Sequence, residues 1–515
     1  MKKNHAFGMY TLVLAFIWLL ECPPSYVLAQ GRVQDLDQYF RLLAANRNFN
    51  GAVLVAEHGK IVFERSFGYS DFSEHRLNRK DISFPIASVS KLLTATAILQ
   101  LVQQDRIQAA DRVVKYLPTF PYPEITIRHL LSHTSGLPPY NAFFDSLQEK
   151  SPDKVFTNAD FLPGLDAKRL PLIYPPGAKG NYDNINYIVL ALVLEKTSGE
   201  SYRSYIDKHI LKPAGMTRTR FMPLPYQYAE LKSSAAFSYP HIYPHLWSDV
   251  PLRANTVPYV VSYWHAYAFT GFGDYVSTTH DLLKLDQAYY GGSLLSKSIQ
   301  DTAFTPIKLN DGSEDPEGFG LGWEMEKDQS QGKIVYHSGA ATGLSCILLR
   351  NITKQQTIIL FDNAHSNAHQ IADDVLKIMN AMSVPHPRKS GAKLYAQALL
   401  RDRPDPARHT LQALRTNTTD YEFDEDEMNS IGYELMGGSN VYHLPEEHHL
   451  TEALEVFRTN TDLFPQSWNV YDSYGEALRK AGRTDEAIQM YERSLQLNGS
   501  NKSASKALSE MDSHR

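Results

Sequence analysis

The chain has 515 residues, of which 43% are hydrophobic and 21% charged, with a formal net charge of -6. That composition is ordinary globular material and excludes a disordered, fibrous or membrane-bundle chain, while the mild acidity argues against nucleic acid or an anionic membrane as partner. The length exceeds what one hydrophobic core usually organises, so a large domain and an accessory one are expected.

Residues 1–29 read as a removable export signal: Met1-Lys2-Lys3 supplies positive charge, Met9 to Leu20 an apolar run, and Val27-Leu28-Ala29 small residues before Gln30. An uncleaved anchor is the other reading, but the run is short for a membrane span. Cys22 is a poor lipid-attachment site, because Glu21 stands where a lipoprotein signal wants a small residue. A periplasmic or secreted location follows, and after cleavage Cys346 is the only cysteine, which rules out an intrachain disulfide.

Leu36 to Ala45 then patterns as an amphipathic helix, and Gly51 to Ala56 and Lys60 to Tyr69 as strands around a Glu57-His58-Gly59 turn. Phe84-Pro85 breaks the chain before a helical stretch from Ser88 to Gln104. Further helical patches lie at Tyr187 to Lys196 and Tyr202 to Leu211 in a Pro-, Tyr- and Asn-rich middle region. Strand signals return at Lys333 to His337, Leu344 to Leu349 and Thr357 to Phe361, followed by a helix from Ala364 to Met382. Strands at both ends with helices between predict an α+β domain over residues 30–385, its sheet closed by distant parts of the chain.

Val384 to Gly391 marks a composition break, so residues 386–398 are expected as a linker and 399–515 as an all-helical domain. Ala453, Phe457 and Pro465 recur as Ala487, Tyr491 and Gly499, a spacing that resembles tetratricopeptide repeats. Only Trp468 to Asn498 is a clean unit, and one unit cannot bury a continuous core, so packing on the larger domain is favoured over a peptide-binding array. A protein partner for this segment remains the alternative.

Ser88-Val89-Ser90-Lys91 is one of several Ser-x-x-Lys matches, among them Ser151 to Lys154, Ser330 to Lys333, Ser390 to Lys393 and Ser503 to Lys506. Its context separates it: a helix start, with Leu92, Ala95, Leu99 and Val102 forming an apolar face behind. Lys91 falls one turn later, within reach of the hydroxyl, and a serine needs such a neighbour to remove its proton. The plain alternative is a capping serine and a surface lysine. Tyr182-Asp183-Asn184 ends a turn-rich loop, where a phenol with lowered pKa can share proton transfer and an amide can bind Lys91 and substrate. His337-Ser338-Gly339 ends a strand, and its glycine allows a close approach to the strand edge.

In that order, Ser-x-x-Lys, Tyr-x-Asn and a strand-borne His-x-Gly resemble the serine β-lactamase and penicillin-binding superfamily, in its class C β-lactamase, D-Ala-D-Ala carboxypeptidase and esterase branch. Ile127 to Leu137 and Gly271 to Thr279 resemble it too, and the likeness spans about residues 33 to 383. It implies an antiparallel sheet flanked by helices with an all-helical lobe. It also implies Ser88 as nucleophile, Lys91 and Tyr182 as proton-transfer groups, and Asn184 as orienter. His337 and Gly339 would form the cleft wall, and the N–H groups of Ser88 and Ala340 the oxyanion hole.

The function expected is hydrolysis of an amide or ester through acyl-Ser88, without metal or cofactor, on a peptide or other small substrate. Class C β-lactamases carry lysine where this chain has His337, an ordinarily neutral side chain, so a carboxypeptidase, D-peptidase or esterase is favoured over a β-lactamase. A catalytically silent ligand sensor is the reading from another class. A metal hydrolase has little support: His241, His245 and His265 fall outside any His-Glu-x-x-His pattern and read as polar loop residues.

Overall fold

The computed structural model describes residues 24–223, 236–265, 267–365, 367–402, 404–437, 442, 444 and 448–512. Most of the expected signal segment lies outside the described residues. Helix α1 (Pro24–Ala45) opens the fold and buries Leu36, Phe40 and Leu43 on one stripe, as its spacing predicts.

The sheet has six strands: β1 (Gly51–Glu57), β2 (Lys60–Ser66), β3 (Glu324–Met325), β4 (Ile334–Ala341), β5 (Leu344–Asn351) and β6 (Gln356–Asp362). Their spatial order is β3-β4-β5-β6-β1-β2, and every pairing is antiparallel. Gly51 pairs with Asp362 and Glu57 with Gln356, so strands from opposite ends of the domain meet at the centre.

Both faces of the sheet are covered, which is why β5 and β6 are buried throughout and carry apolar runs at Cys346 to Leu349 and Ile358 to Phe361. Val53, Val55, Ile347, Leu349, Ile358 and Leu360 pack with α1 and with the late helix Ala368–Met379. Alternate residues, among them Leu54, Ala56, Leu348, Ile359 and Phe361, face a larger core. That core includes α2 (Lys91–Gln103), α3 (Ile185–Ser198) and α4 (Thr279–Tyr290). The helices Tyr140–Lys150 and Asn158–Lys168 pack on each other as a lobe and bury Phe143, Phe144, Phe161 and Leu165 in this core.

Arg350 of β5 ties this core to α4. It is fully buried, its Nε donates to Asp286 Oδ1 at 2.5 Å, and Thr357 Oγ1 donates to Asp286 Oδ2 at 2.8 Å. The guanidinium lies against rings, its Cζ 4.6 Å from the Tyr290 centroid and 5.0 Å from that of Tyr289.

Beyond the sheet the described residues form seven helices from Gly391–Arg401 to Lys502–Asp512, and the all-helical expectation fails at Tyr421–Glu422, a short strand that pairs in parallel with Lys389–Ser390. The first of these helices occupies most of the stretch 386–398 expected as linker. Its cause is local: Ser390 Oγ accepts the Lys393 amide at 2.9 Å and caps a helix that the preceding prolines only delay. Ser390 to Lys393, one of the competing Ser-x-x-Lys matches, is thus a helix cap. The segment has its own apolar core, into which the larger, sheet-bearing domain inserts Trp247. Gln397 donates to the Trp247 carbonyl at 2.7 Å, and His245 Nδ1 lies 2.9 Å from Glu434. His241, expected as a loop residue, is instead buried in the short strand His241–Ile242.

Arg350→Met should cost about 3–5 kcal/mol in chemical denaturation, because it leaves the Asp286 carboxylate buried without its cation. The double variant Arg350→Met/Asp286→Leu should recover much of that loss, and equal losses would show that the two charges are not coupled.

Candidate active site

Ser88 sits in a 3-10 turn, Ala87–Ser90, that immediately precedes α2, rather than in the first α-helical turn as its sequence predicts. The difference arises at Ala87, whose backbone is left-handed at φ 39°, a conformation costing on the order of 1–3 kcal/mol for a residue with a Cβ. The turn is pinned on both sides. The Ile86 amide donates to Tyr275 O at 3.1 Å, while Ile86 O accepts from Val89 N at 3.0 Å and from the Cys346 thiol at 3.1 Å.

Lys91 is fully buried, and its Nζ lies 3.0 Å from Ser88 Oγ, 2.8 Å from Asn184 Oδ1 and 3.2 Å from Phe272 O. Burial pulls its pKa down to about 7, against a smaller opposing pull from Asp183, Glu324 and Asp274. The partner set has a consequence for the neutral amine. Asn184 Oδ1 and Phe272 O can only accept, so they take its two hydrogens, and its lone pair is left for the Ser88 hydroxyl.

Tyr182 stands on the other side of the serine, and the Ser88–Tyr182 hydrogen bond favours phenolate. The phenol nevertheless lies well above its ordinary pKa, because burial of the hydroxyl among protein groups outweighs that bond. The lowered tyrosine pKa expected from sequence is therefore overturned: the lysine is the group whose charge is suppressed, and the tyrosine stays protonated. The residue as a whole is 39% exposed, and Lys91 Nζ lies 4.7 Å from the centre of its ring.

His133, within a stretch to which the sequence gave no role, fixes that ring. Its imidazole lies 4.4 Å from the Tyr182 ring and 5.1 Å from Tyr187, centroid to centroid. Its Nδ1 receives the Asp183 amide and the Asn186 side-chain amide, both at 3.2 Å, which places the ring proton on Nε2. Burial holds it well below its ordinary pKa, hence neutral.

β4 forms the opposite wall. His337 is buried and its pKa falls to about 3, chiefly through burial and secondarily through the Lys91 charge. It is uncharged at neutral pH, as expected, with Nδ1 donating to Ser338 O at 2.7 Å. Its 3.8 Å contact with Glu324 is accordingly no ion pair. Glu324, unforeseen from sequence because it lies far along the chain with no motif around it, is pushed up to about 7 by burial.

Gly339 faces the Ser88 turn so closely that a Cβ there would come within 2.6 Å of Ile86 O and 3.1 Å of Ser88 N. Strand β3 pairs with β4 only at Val335 and Tyr336, so β4 continues past them, through Gly339 and Ala340, without a strand partner on that side. The structure therefore brings Ser88, Lys91, Tyr182, Asn184, His337 and Gly339 together, with Ala340 exposed on the same free edge. Among the described residues no group of His, Cys, Asp and Glu could hold a metal ion.

The sequence profile of the Beta-lactamase family matches residues 36–378. The chain belongs to that family. It is 34% identical over 343 residues to penicillin-binding protein 4* of Bacillus subtilis (strain 168), a match covering 65% of this chain and 73% of that protein. A penicillin-binding protein structure from Bacillus halodurans superposes with a TM-score of 0.54 at 25% identity, over 67% of this chain and 98% of that one. The D-amino acid amidase of Ochrobactrum anthropi SV3 shares the fold, at 20% identity and a TM-score of 0.52 over 69% of this chain and 97% of its own. Family members are serine hydrolases, and this chain is a serine hydrolase of the β-lactamase and penicillin-binding type. The helical segment lies beyond the matched residues.

Because the base form of Lys91 appears only as pH rises through about 7, kcat/KM should climb with pH and be about 100-fold lower at pH 5 than on its plateau. A flat profile between pH 5 and 8 would exclude a titrating base there. Gly339→Ala should lower kcat/KM by about 10²-fold, since the new methyl displaces the serine turn, and unchanged turnover would show that the close approach is dispensable.

Proposed function

We propose that this chain hydrolyses an amide or ester through an acyl-Ser88 intermediate, with D-amino-acid peptides, including D-Ala-D-Ala ends, or small esters as its substrates. The observation that carries this reading is the 3.0 Å contact between Ser88 Oγ and a buried Lys91 whose pKa lies near 7. Neutral Lys91 takes the hydroxyl proton as Oγ attacks the carbonyl, and the N–H groups of Ser88 and Ala340 receive the oxyanion. Protonated Tyr182 gives its proton to the leaving nitrogen or oxygen and recovers one from the Lys91 ammonium. Water then attacks the acyl carbon, its proton returns through the same pair, and Ser88 is released. Asn184 holds Lys91 in register and offers its amide hydrogens to the substrate.

Neutral, buried His337 supports a peptidase or esterase over a β-lactamase, because it offers no fixed cation for a substrate carboxylate. Export to the periplasm or beyond fits the same reading, resting on the charged, apolar and small-residue stretches of residues 1–29. Among the described residues no helix is long and apolar enough to cross a membrane. The helical segment packs first on its own hydrolase domain through Trp247, and any protein partner would meet its remaining surface.

The test is a panel of p-nitrophenyl esters, D-Ala-D-Ala peptides and nitrocefin, run with the parent, Ser88→Ala and Lys91→Ala. Ser88→Ala should lose at least about 10³-fold in kcat and all labelling by a fluorophosphonate, and Lys91→Ala about 10²–10⁴-fold. Labelling of Ser88→Ala as strong as the parent's would refute the mechanism, and nitrocefin as the best substrate would refute the preference.

A further inference from the structure

Glu324 takes no part in the proton transfers proposed for Ser88, Lys91 and Tyr182, yet its carboxylate stands on the same edge of the sheet. It pairs with Tyr336, its Oε1 lies 3.8 Å from His337 Nδ1, and its side chain is 19% exposed. Strand geometry fixes its place along that edge. Ile334 O accepts the Glu326 amide at 3.2 Å, so Ile334 turns its backbone groups toward β3. Such groups alternate between the two edges of a strand, so Tyr336, Ser338 and Ala340 present theirs to the same side. The pairing ends at Tyr336, and the Glu324 carboxylate carries on past it to the Ser338 amide, which favours its charged form. The next amide on that edge belongs to Ala340, the oxyanion donor, about 7 Å further along.

The leaving group of a substrate points the same way. Its proton comes from Tyr182, whose ring centre lies 6.2 Å from that of His337, the residue before Ser338. Burial is the main cause of the raised Tyr182 pKa, but the charges of Glu324 and Asp183 add to it, so both act across the space where the leaving atom sits. The cations that act on Glu324 are spoken for. His369 lies 3.0 Å from Glu326, and Lys91 is neutral when it serves as base. His133 and His337 are neutral too. A leaving group that ends in a carboxylate therefore adds a further negative charge beside Glu324 and Asp183, in a partly buried site where water damps the repulsion poorly. The alcohol of an ester, or a blocked amide, meets no such repulsion.

We propose that Glu324 is a specificity-determining residue, which turns away leaving groups that carry a carboxylate and passes uncharged ones. The inference rests on the hydrolytic reading above and narrows it: esters of neutral alcohols and peptides with a blocked C-terminus are good substrates, and peptides ending in a free carboxylate are poor ones. Burial raises Glu324 to about 7, against the smaller opposing effects of His369, Lys91, the Ser338 amide and Tyr336. The repulsion is therefore present above neutral pH and lost below it, where the carboxyl group is protonated.

Two matched pairs of substrates read this directly: para-acetoxybenzamide against para-acetoxybenzoate, and the carboxamide of N-acetyl-D-Ala-D-Ala against its free acid. Each pair shares an acyl group and the same base, so the titration of Lys91 cancels in the ratio of the two kcat/KM values. At pH 8 the uncharged member should be favoured at least about fivefold, the esters being corrected for their rates with hydroxide, and at pH 6 less than about twofold. Glu324→Gln, which keeps an acceptor for the Ser338 amide, should show less than about twofold at both. A parent ratio near one at pH 8, or a preference that Glu324→Gln leaves intact, would overturn the proposal. Should that variant not fold, a parent ratio that fails to drop between pH 8 and pH 6 does the same. Titration calorimetry on Ser88→Ala separates the two readings: tighter binding of the carboxamide peptide at pH 8, with no labelling of Ser88 in the parent, would sink the hydrolytic reading and leave the role of Glu324 standing.

Discussion

Everything in the cleft depends on keeping one ammonium out of water. Lys91 reaches its site along the first turn of α2, and the cost of burying its charge is what brings its proton within reach of neutral pH. Three oxygens receive it, from Ser88, Asn184 and Phe272, and these come from three separate stretches of chain. The lobe, the sheet side and the loop before β5's helical partner α4 must therefore all be in place before the amine is positioned. Remove the surroundings and the lysine is an ordinary cation, useless as a base.

The groups around it complete a set of suppressed charges. His133 and His337 are both neutral through burial, and Tyr182 keeps its proton. Burial raises Asp274 to about 6, and Lys91 and Glu324 both stand at about 7, poised to change state near neutral pH. They interact, so the site titrates as a coupled set and not as an isolated amine.

Much of this was legible in the sequence because short, local signals carried it. The Phe84-Pro85 break, the single Tyr-x-Asn and the strand-ending His-x-Gly each located a wall of the cleft, and period-2 and apolar runs located β1, β2, β4, β5 and β6. What escaped was whatever depends on burial by remote residues. The direction of the Tyr182 shift could not be read from its adjacency to a lysine, since desolvation by the lobe decides it. His133 lay in a stretch that resembles the family but carried no role of its own, and Glu324 had no pattern to mark it. Trp247, in a Pro- and His-rich stretch without periodicity, gave no sign that it would be the hydrolase domain's contribution to the core of the helical segment.

The closure of the sheet has a consequence for how the protein is made. β1 finds its neighbours in β2, available at once, and in β6, which lies some three hundred residues later in the chain. As synthesis proceeds, the hairpin of β1 and β2 must wait with one long apolar edge open while the intervening helices, and the serine turn itself, emerge. Ordering that loop is entropically slow, and the waiting edge is a template for pairing with other chains. The Ser88 turn packs against β4 and β5, so its final setting depends on strands that the chain supplies long after the turn itself.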